Sequence, residues 1–467
     1  MFIKLKNVGV MRQAEFEPGD MTIICGQNNT GKTYATYTLY GFYSFWNQYF
    51  AINDIDDEIV ETLLADGVAK IDIQRYADSA QKLMDIACEQ YSDRIADVFS
   101  TDSDHFKNSV FNICLDGATP DVWTKACSST LNTAKGSILS ASKEQNSSIL
   151  VVSSFAKGSK LNIPKHILKD YISSAIKEIL FEKRFSMPFI ASAERTGAAI
   201  FRRELNFARN RLLEELSSKN KEVNPLDLLI KVRPEYPLPV EDNVNFTRQL
   251  ETLAKDRSFI AEEYPDILKD FQDIIGGNYH IGKNNNNDEL YYVPKGKKIR
   301  LSLDTSSSAV RSLLDIGFYL RHEAEHGAFI MIDEPELNLH PENQRRIARL
   351  FARLLNIGIR IFITTHSDYI IRELNTLIMM NQDKDYIRQI MEREGYKKEE
   401  LIDAKRVRVY VAGESQIKCD GAKRKVTCCT LTEAKIDPTY GIKVESFNET
   451  INKMNQIQDD IMWGEDE

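Results

Sequence analysis

The sequence predicts an α/β protein with a mixed or parallel sheet, an inserted helical region and a short helical arm. The apolar run "MTIIC" at 21–25 leads into a glycine-rich loop and then into a segment with helical character. Two further segments, at 328–332 and 359–363, are predicted as buried strands; each is followed by polar residues, and helix-forming sequence lies between them. Strands that alternate with helices favour parallel pairing, with ligand-binding side chains at the carboxyl ends of the strands.

The composition is typical of a globular protein with two or three domains. The 467 residues are 42% hydrophobic and 28% charged, and the net charge is −9, which argues against bulk binding to nucleic acid. Two basic stretches, 295–300 and 421–426, are interpreted as solvated loops or strand edges. The seven scattered cysteines, the lack of a long apolar run and the lack of a signal-peptide core lead us to expect a cytoplasmic protein.

The loop after the first apolar run has the pattern G-x-x-x-x-G-K-T. Its glycines allow the backbone N–H groups to point at phosphate oxygens, and the following helix presents its positive end to the same anion. In this pattern Lys32 contacts the β- and γ-phosphates and the Thr33 hydroxyl binds Mg²⁺. The predicted nucleotide-binding residues are Gly26, Asn28, Asn29, Thr30, Gly31, Lys32 and Thr33.

The run "FIMIDEPELNLHP" places two acids at the end of a buried strand. Adjacent carboxylates in that position are costly unless a cation or hydrogen bonds compensate them. With a phosphate loop upstream, we expect Asp333 to hold Mg²⁺ and Glu334 to orient and deprotonate the attacking water. Taken alone, the same residues also suit a strand-to-turn junction.

Two more segments contain candidate site residues. In "IRIFITTHSD", His366 follows a buried strand, where it can hydrogen-bond the γ-phosphate and report its presence. In "DTSSSAVRSLLDIGFYL", three serines precede an apolar helix. They are either an ordinary N-cap or an anion site. Because they cannot easily share a pocket with Lys32 of the same chain, we expect Ser306, Ser307 and Ser308 to cap the γ-phosphate held by a neighbouring copy.

With these pieces in order, the chain resembles the ABC-type ATPases of the SMC and OLD kind. The similar elements are "GQNNTGKT" (Walker A), "SSSAVRSL" (signature), "FIMIDEPELNLHP" (Walker B), "TTHSD" (switch) and "PFIASAERTG", in which Arg195 is a candidate for nucleotide or subunit contact. The resemblance implies a P-loop NTPase head of the ABC type, with ATP and Mg²⁺ as ligands. One departure is that Ser308 and Ala309 stand where the signature usually has glycine, which predicts slow hydrolysis.

The resemblance divides the chain into four regions. Residues 1–50 and 276–467 are expected to form the two parts of the ATPase head. Residues 51–186 are expected to be a mostly helical insertion, and 187–275 a head strand followed by a helical arm.

After His366 no D-x-D pair of a Toprim nuclease follows a strand, so we expect a separate effector chain, a Toprim nuclease. The layout is most similar to the AriA-type ATPases of the PARIS phage-defence system, with Septu-type ATPases next. This implies a sensor and scaffold that assembles as a homo-oligomer through ATP and responds to a phage-encoded trigger. Two alternatives stay open, namely an SMC-like DNA-repair ATPase that tethers DNA and a nuclease in its own right.

Overall fold

The computed structural model describes residues 1–115, 120–124, 126–133, 136–155, 163–202, 236–284, 287–443 and 445–463. In chain order the strands are β1 (Phe2–Val8), β2 (Met11–Phe16), β3 (Met21–Gly26), β4 (Val68–Asp72), β5 (Val110–Cys114), β6 (Cys127–Thr133), β7 (Gly136–Lys143), β8 (Ile149–Ser154), β9 (Phe189–Ala191), β10 (Gly277–Asn284), β11 (Asn287–Pro294), β12 (Leu301–Ser302), β13 (Phe329–Asp333), β14 (Arg360–Thr365), β15 (Val407–Ile417), β16 (Val426–Glu433), β17 (Ile436–Asp437) and β18 (Gly441–Ile442). The α-helices are α1 (Lys32–Gln48), α2 (Asp57–Asp66), α3 (Gln74–Asp78), α4 (Ala80–Ser92), α5 (Ile95–Val98), α6 (Lys165–Phe181), α7 (Arg195–Ile200), α8 (Leu238–Arg248), α9 (Leu250–Leu253), α10 (Phe259–Glu263), α11 (Pro265–Ile275), α12 (Ser308–Ser312), α13 (Leu314–His322), α14 (Pro341–Asn356), α15 (Asp368–Met379), α16 (Asp385–Glu394) and α17 (Glu445–Trp463). Short 3-10 helices occur at Ser103–Phe106, Glu182–Phe185, Lys398–Glu400 and Ala404–Arg406.

The chain divides into two compact units. The first comprises Met1–Lys4, Gly41–Arg94 and Val110–Met187, and the second comprises Leu5–Tyr40, Ile95–Ser109 and Pro188–Glu467. Each predicted site residue belongs to the second unit.

A mixed sheet forms the centre of the second unit, with the strand order β1-β2-β16-β15-β3-β14-β13-β9. Strands β15, β3, β14, β13 and β9 run parallel to one another, while β16 pairs antiparallel with β15. All the residues of β3 and of β13 are buried, as expected for parallel strands covered on both faces. This is an α/β fold with a mixed and largely parallel sheet, which confirms the predicted fold class.

The register of the central strands brings their carboxyl ends to one edge. Asp333 at the end of β13 lies opposite Thr364 of β14, and Thr365 lies opposite Cys25 of β3. The phosphate loop, the acid pair and the switch histidine each follow one of these three strand ends. Parallel pairing therefore collects side chains that are hundreds of residues apart in the sequence.

Helix α14 has a capped N-terminus and one apolar face that packs in the core of the second unit. His340 accepts a hydrogen bond from the Glu342 N–H at the N-terminus, and Pro341 takes the first helical position, which its fixed φ suits. The face of the helix that carries Ile347 and Phe351 is buried in the core of the second unit.

The first unit contains helices α2, α3, α4 and α6 and a four-stranded antiparallel sheet with the order β4-β8-β7-β6. The sequence predicts a mostly helical insertion over 51–186, with Ser- and Asn-rich breaks. The structure instead forms β7 from part of such a break, "GSILSASK". Ile138 and Leu139 are its only large apolar residues, which is too weak a pattern to predict a strand. The pairing with neighbouring strands therefore stabilises β7 where the local sequence does not.

Most of the predicted helical arm lies outside the described residues, which omit 203–235. Residues 236–275 form α8 to α11 in the second unit. Within the described part of the chain, none of the helices is both long enough and apolar enough to span a membrane.

Candidate active site

The phosphate loop joins β3 to α1 through a backbone that only glycine tolerates at two points. Gly26 has φ +141°, and a Cβ added there would lie 2.3 Å from the Ala412 carbonyl oxygen of the neighbouring strand. Gly31 has φ +98°, and its Cβ would lie 2.8 Å from the Met11 side chain. Between them Asn28 and Asn29 are exposed. The predicted loop is therefore a tight turn with an outward-facing centre.

Lys32 begins helix α1 and is almost fully buried. Its Nζ donates to the carbonyl oxygens of Gly26, at 3.2 Å, and Gln27, at 2.8 Å, and the Thr30 hydroxyl donates to the same Gln27 carbonyl at 2.8 Å. Burial lowers the pKa of Lys32, while the nearby acids Glu334 and Asp333 oppose that change. The ammonium group thus lies beside the loop backbone, where a phosphate would replace the carbonyl contacts.

Asp333 lies at the end of β13 with 2% of its surface exposed. One carboxylate oxygen accepts a hydrogen bond from the Thr364 hydroxyl, and the other lies 3.5 Å from the Thr33 hydroxyl oxygen. Burial raises the pKa of Asp333 to about 6, although the Thr364 hydrogen bond opposes this. The carboxylate therefore sits in an environment that favours the arrival of a cation.

Glu334 follows with φ +51°, an uncommon backbone conformation for a residue with a side chain. Its N–H donates to the backbone carbonyl of Thr364, which fixes the turn. Its carboxylate is partly exposed, and Oε1 lies 3.3 Å from Nε2 of His366. The turn separates the two acids, so that Asp333 points into the protein and Glu334 stays accessible.

His366 follows β14 and is held by a residue that the sequence analysis did not single out. The backbone N–H of His366 donates to Oε1 of Glu336 at 2.6 Å. Burial lowers the pKa of His366, and the charge of Lys32 acts in the same direction. Burial also raises the pKa of Glu336. The second glutamate in "DEPE" is the one sequence signal that could have identified this contact.

The fold places the three predicted serines in different environments. Ser307 caps α12 by accepting a hydrogen bond from the Val310 N–H, and both Ser307 and Ser308 are exposed. Ser306 is buried, and its hydroxyl donates to the Ser302 carbonyl at 2.8 Å. The structure therefore corrects one part of the prediction, since the Ser306 hydroxyl is occupied within its own chain.

Arg195 lies in the protein interior with 1% of its surface exposed. Its guanidinium donates to four backbone carbonyl oxygens, those of Ser192, Ser312, Asp333 and Glu334. The predicted contact with nucleotide or with a second subunit requires an accessible guanidinium, which this position does not provide.

The donors at this edge suit a Mg²⁺–triphosphate complex. Mg²⁺ prefers oxygen ligands and is commonly held by one or two carboxylates together with substrate phosphates. Thr33 and Asp333 offer a hydroxyl and a carboxylate 3.5 Å apart, and Lys32 and the start of α1 provide positive charge for the phosphates. The described residues contain no group of three or more His, Cys, Asp or Glu side chains that could hold a metal ion without such a substrate.

Comparison with known proteins places the chain among ATPase domains. The family model described as the AAA ATPase domain (AAA_15) matches residues 1–371. No curated protein matches the chain.

Solved structures with similarity include SMC head domains. The SMC head domain from Thermotoga maritima is 10% identical, with a TM-score of 0.31, over 93% of this chain and 98% of that chain. An Smc head with an extended coiled coil, bound to the C-terminal domain of ScpA and derived from Pyrococcus furiosus, is 13% identical, with a TM-score of 0.30, over 98% of each chain. An SmcHead bound to the C-winged helix domain of ScpA is 11% identical, with a TM-score of 0.31, over 92% of this chain and 97% of that chain.

Proposed function

Because this chain belongs to the AAA ATPase domain family, we propose that it binds ATP with Mg²⁺ and hydrolyses it to ADP and phosphate. The observation that carries the proposal is the meeting of the phosphate loop and the acid pair at one sheet edge, with the Thr33 hydroxyl 3.5 Å from the Asp333 carboxylate. Phosphoryl transfer needs a group that binds the phosphates and a group that holds the metal ion and activates water, close to each other. The register of the strands brings the phosphate loop and the acid pair together at this edge.

The chemistry follows from the positions of the side chains. Lys32 would neutralise the β- and γ-phosphates, and Thr33 and Asp333 would hold Mg²⁺. The metal supplies charge stabilisation at the phosphate oxygens. Glu334 takes a proton from the attacking water, and His366, 3.3 Å from its carboxylate, orients that carboxylate and contacts the γ-phosphate.

We further propose that two copies form the complete site. Ser307, the N-cap of α12, and Ser308, its first residue, are exposed and available to the γ-phosphate bound by a second copy. Because a hydroxyl-bearing residue and Ala309 replace the usual glycine, we expect ATP to bind and join the copies more readily than it is hydrolysed.

This slow ATP clamp fits a sensor and scaffold subunit of an anti-phage defence complex of the PARIS type. In this proposal a separate Toprim nuclease chain is the effector, and a phage-encoded protein is the trigger. Support comes from the segment after His366, where β15 pairs with β3 and β16 pairs with β15. These strands extend the ATPase sheet, so that part of the chain contributes to the nucleotide-binding unit.

A second candidate is an SMC-like ATPase that tethers DNA. The basic stretch 295–300 is exposed throughout, and Lys423, Arg424 and Lys425 are exposed as well. Phosphate contacts by such residues make affinity fall steeply with salt. Binding of the purified protein to a DNA duplex with a steep salt slope favours this candidate. Binding of the purified protein to a nuclease chain encoded beside its gene, with an affinity that does not depend on salt, favours the sensor and scaffold candidate.

A complementation experiment tests the shared site. We expect Lys32→Ala to abolish nucleotide binding, and a Ser307→Arg/Ser308→Arg double variant to bind ATP but not hydrolyse it. When the two variants are mixed, each mixed dimer has one intact site, formed by Lys32 of the serine variant and the serines of the Lys32→Ala chain. ATPase activity should therefore reappear in the mixture. If the mixture stays inactive while native mass measurement shows mixed dimers with ATP, the proposal of a site shared between copies is wrong. If the serine variant alone has wild-type activity, it is wrong as well.

A further inference from the structure

Arg195 connects three separate segments of the second unit. Its Nε donates to the Ser312 carbonyl at 2.7 Å, and its Nη1 donates to the Ser192 carbonyl at 2.8 Å. Nη1 also donates to the Asp333 carbonyl at 2.6 Å, and Nη2 donates to the Glu334 carbonyl at 2.7 Å. A planar guanidinium has five N–H donors in a fixed geometry, so these contacts set the distances between the segments.

The contacted carbonyls belong to elements with different tasks. Ser312 is the last residue of α12, the helix that presents the exposed serines. Asp333 and Glu334 form the acid pair, and Ser192 follows strand β9. The Ser312 hydroxyl adds a second link between the same two regions, because it donates to the Leu337 carbonyl at 3.0 Å.

Arg195 contacts the acid pair through its backbone oxygens rather than through its carboxylates. The guanidinium binds the backbone oxygen of Asp333 and leaves both carboxylate oxygens to Thr33 and Thr364. It also holds the carbonyl oxygen of Glu334, the residue with φ +51°. A strained residue keeps its conformation only when its surroundings determine it, and Arg195 is one of the groups that do so here.

We propose that Arg195 is a positioning residue that aligns Glu334 for hydrolysis and couples that alignment to the serine-bearing helix α12. Movement of α12 shifts the Ser312 carbonyl, and the rigid guanidinium passes this shift to the Glu334 peptide. Engagement of α12 by a second copy thereby sets the geometry of the base. This inference rests on the proposed ATPase function and assigns Arg195 no contact with nucleotide.

The test compares ATP binding with turnover in Arg195→Lys and Arg195→Met. We expect both variants to keep their affinity for ATP within about threefold of wild type, while kcat falls by roughly 30-fold or more because the base is misaligned. Lysine keeps the charge but cannot reproduce the fork of contacts, so it should rescue little of the loss.

The matched control is Arg353→Met. Arg353 is also a buried arginine, 5% exposed, but it pairs with Asp266 and Asp270 of α11 rather than with the site. We expect this variant to lose thermal stability while its kcat stays within about threefold of wild type. If kcat falls only in proportion to stability in both sets of variants, Arg195 is merely structural and the inference is overturned.

Ser312→Ala keeps the inference testable if the Arg195 variants do not fold. It removes the hydroxyl contact with Leu337, and we expect kcat to fall by about threefold to tenfold with unchanged ATP affinity. Wild-type kcat in this variant contradicts the coupling. A wild-type chain that binds but does not hydrolyse ATP overturns the proposed function and the inference together. An active wild type with equally active, folded Arg195 variants overturns the inference alone.

Discussion

The Thr33 hydroxyl lies 3.5 Å from the carboxylate of Asp333, although 300 positions of sequence separate the two residues. Thr33 belongs to the first helix after the phosphate loop, and Asp333 ends the strand that precedes the acid turn. A hydroxyl and a carboxylate at this spacing form part of the oxygen shell that Mg²⁺ prefers. This pair therefore joins the phosphate loop to the acid pair in the proposed ATPase site.

Lys32→Ala should abolish ATP binding. The buried ammonium supplies positive charge to the proposed phosphate site, and its loss should weaken binding by at least about 100-fold, or ~3 kcal/mol. Titration of a fluorescent ATP analogue measures this, with the exposed Lys297→Ala as the control. Equal affinity in the two variants would show that the phosphates bind elsewhere.

Glu334→Gln should leave ATP binding intact and prevent its turnover. The amide keeps the shape of the side chain but cannot accept the proton of water, so kcat should fall by roughly 10²- to 10⁴-fold. Light scattering with ATP should then show dimers that persist for hours, whereas the wild type returns to its nucleotide-free state. Glu342→Gln, at an exposed carboxylate of α14, is the control. A wild-type rate in Glu334→Gln would assign the base to another group.

His366→Ala should reduce hydrolysis more than binding. Burial lowers the pKa of His366, which favours the neutral imidazole beside Glu334. Removing this orienting contact should lower kcat by about 10- to 100-fold with little change in ATP affinity. The exposed His326→Ala, paired with Glu263, is the matched control. A loss of affinity equal to the loss of rate would instead indicate a role in nucleotide binding.

Asp315 should make the protein less stable as pH rises from about 4 to 6. The carboxyl is fully buried and accepts hydrogen bonds from Asn243 and Thr247, and burial raises its pKa to about 6. The folded protein therefore holds the proton more tightly than the unfolded chain. The resulting stability is present in full below the unfolded pKa of about 4 and is lost as pH rises through about 6, up to about 3 kcal/mol.

Urea unfolding of Asp315→Asn at several pH values tests this expectation. The variant should lose the contribution of Asp315 to the pH dependence of the free energy of unfolding. Asp333, whose pKa burial also raises to about 6, contributes a dependence of the same sign in both proteins. Asp304→Asn, at an exposed position, controls for the loss of one negative charge. An unchanged slope in Asp315→Asn would show that the carboxyl does not titrate in this range.

Much of the site could be predicted because its signals are local. The residues 26–33 contain the glycines, lysine and threonine that a phosphate loop needs, and the acids at 333 and 334 directly follow an apolar strand. Each pattern is complete within a few residues, since backbone turns and strand ends are determined by neighbours in the chain. Parallel pairing of strands was also predictable, and it alone brings the strand ends to a common edge.

Other features needed contacts between distant residues. The sequence predicts that Ser306, Ser307 and Ser308 act alike, but only the fold shows that Ser306 turns inward to the Ser302 carbonyl. Likewise, β7 forms from a serine-rich segment because β6 and β8 pair with it on either side. A weak local pattern does not determine structure when neighbouring strands provide the stabilising contacts.

By itself, the sequence determined the fold class, the phosphate loop and the acid pair, because each rests on the chemistry of consecutive residues. Only the tertiary structure decided the place of Arg195. Its four carbonyl partners come from three separate segments of the chain, and the conformation of each carbonyl depends on its own strand or helix. A buried guanidinium needs hydrogen-bond acceptors for its N–H groups. Here the acceptors are backbone oxygens that come together only when the sheet and its helices have assembled.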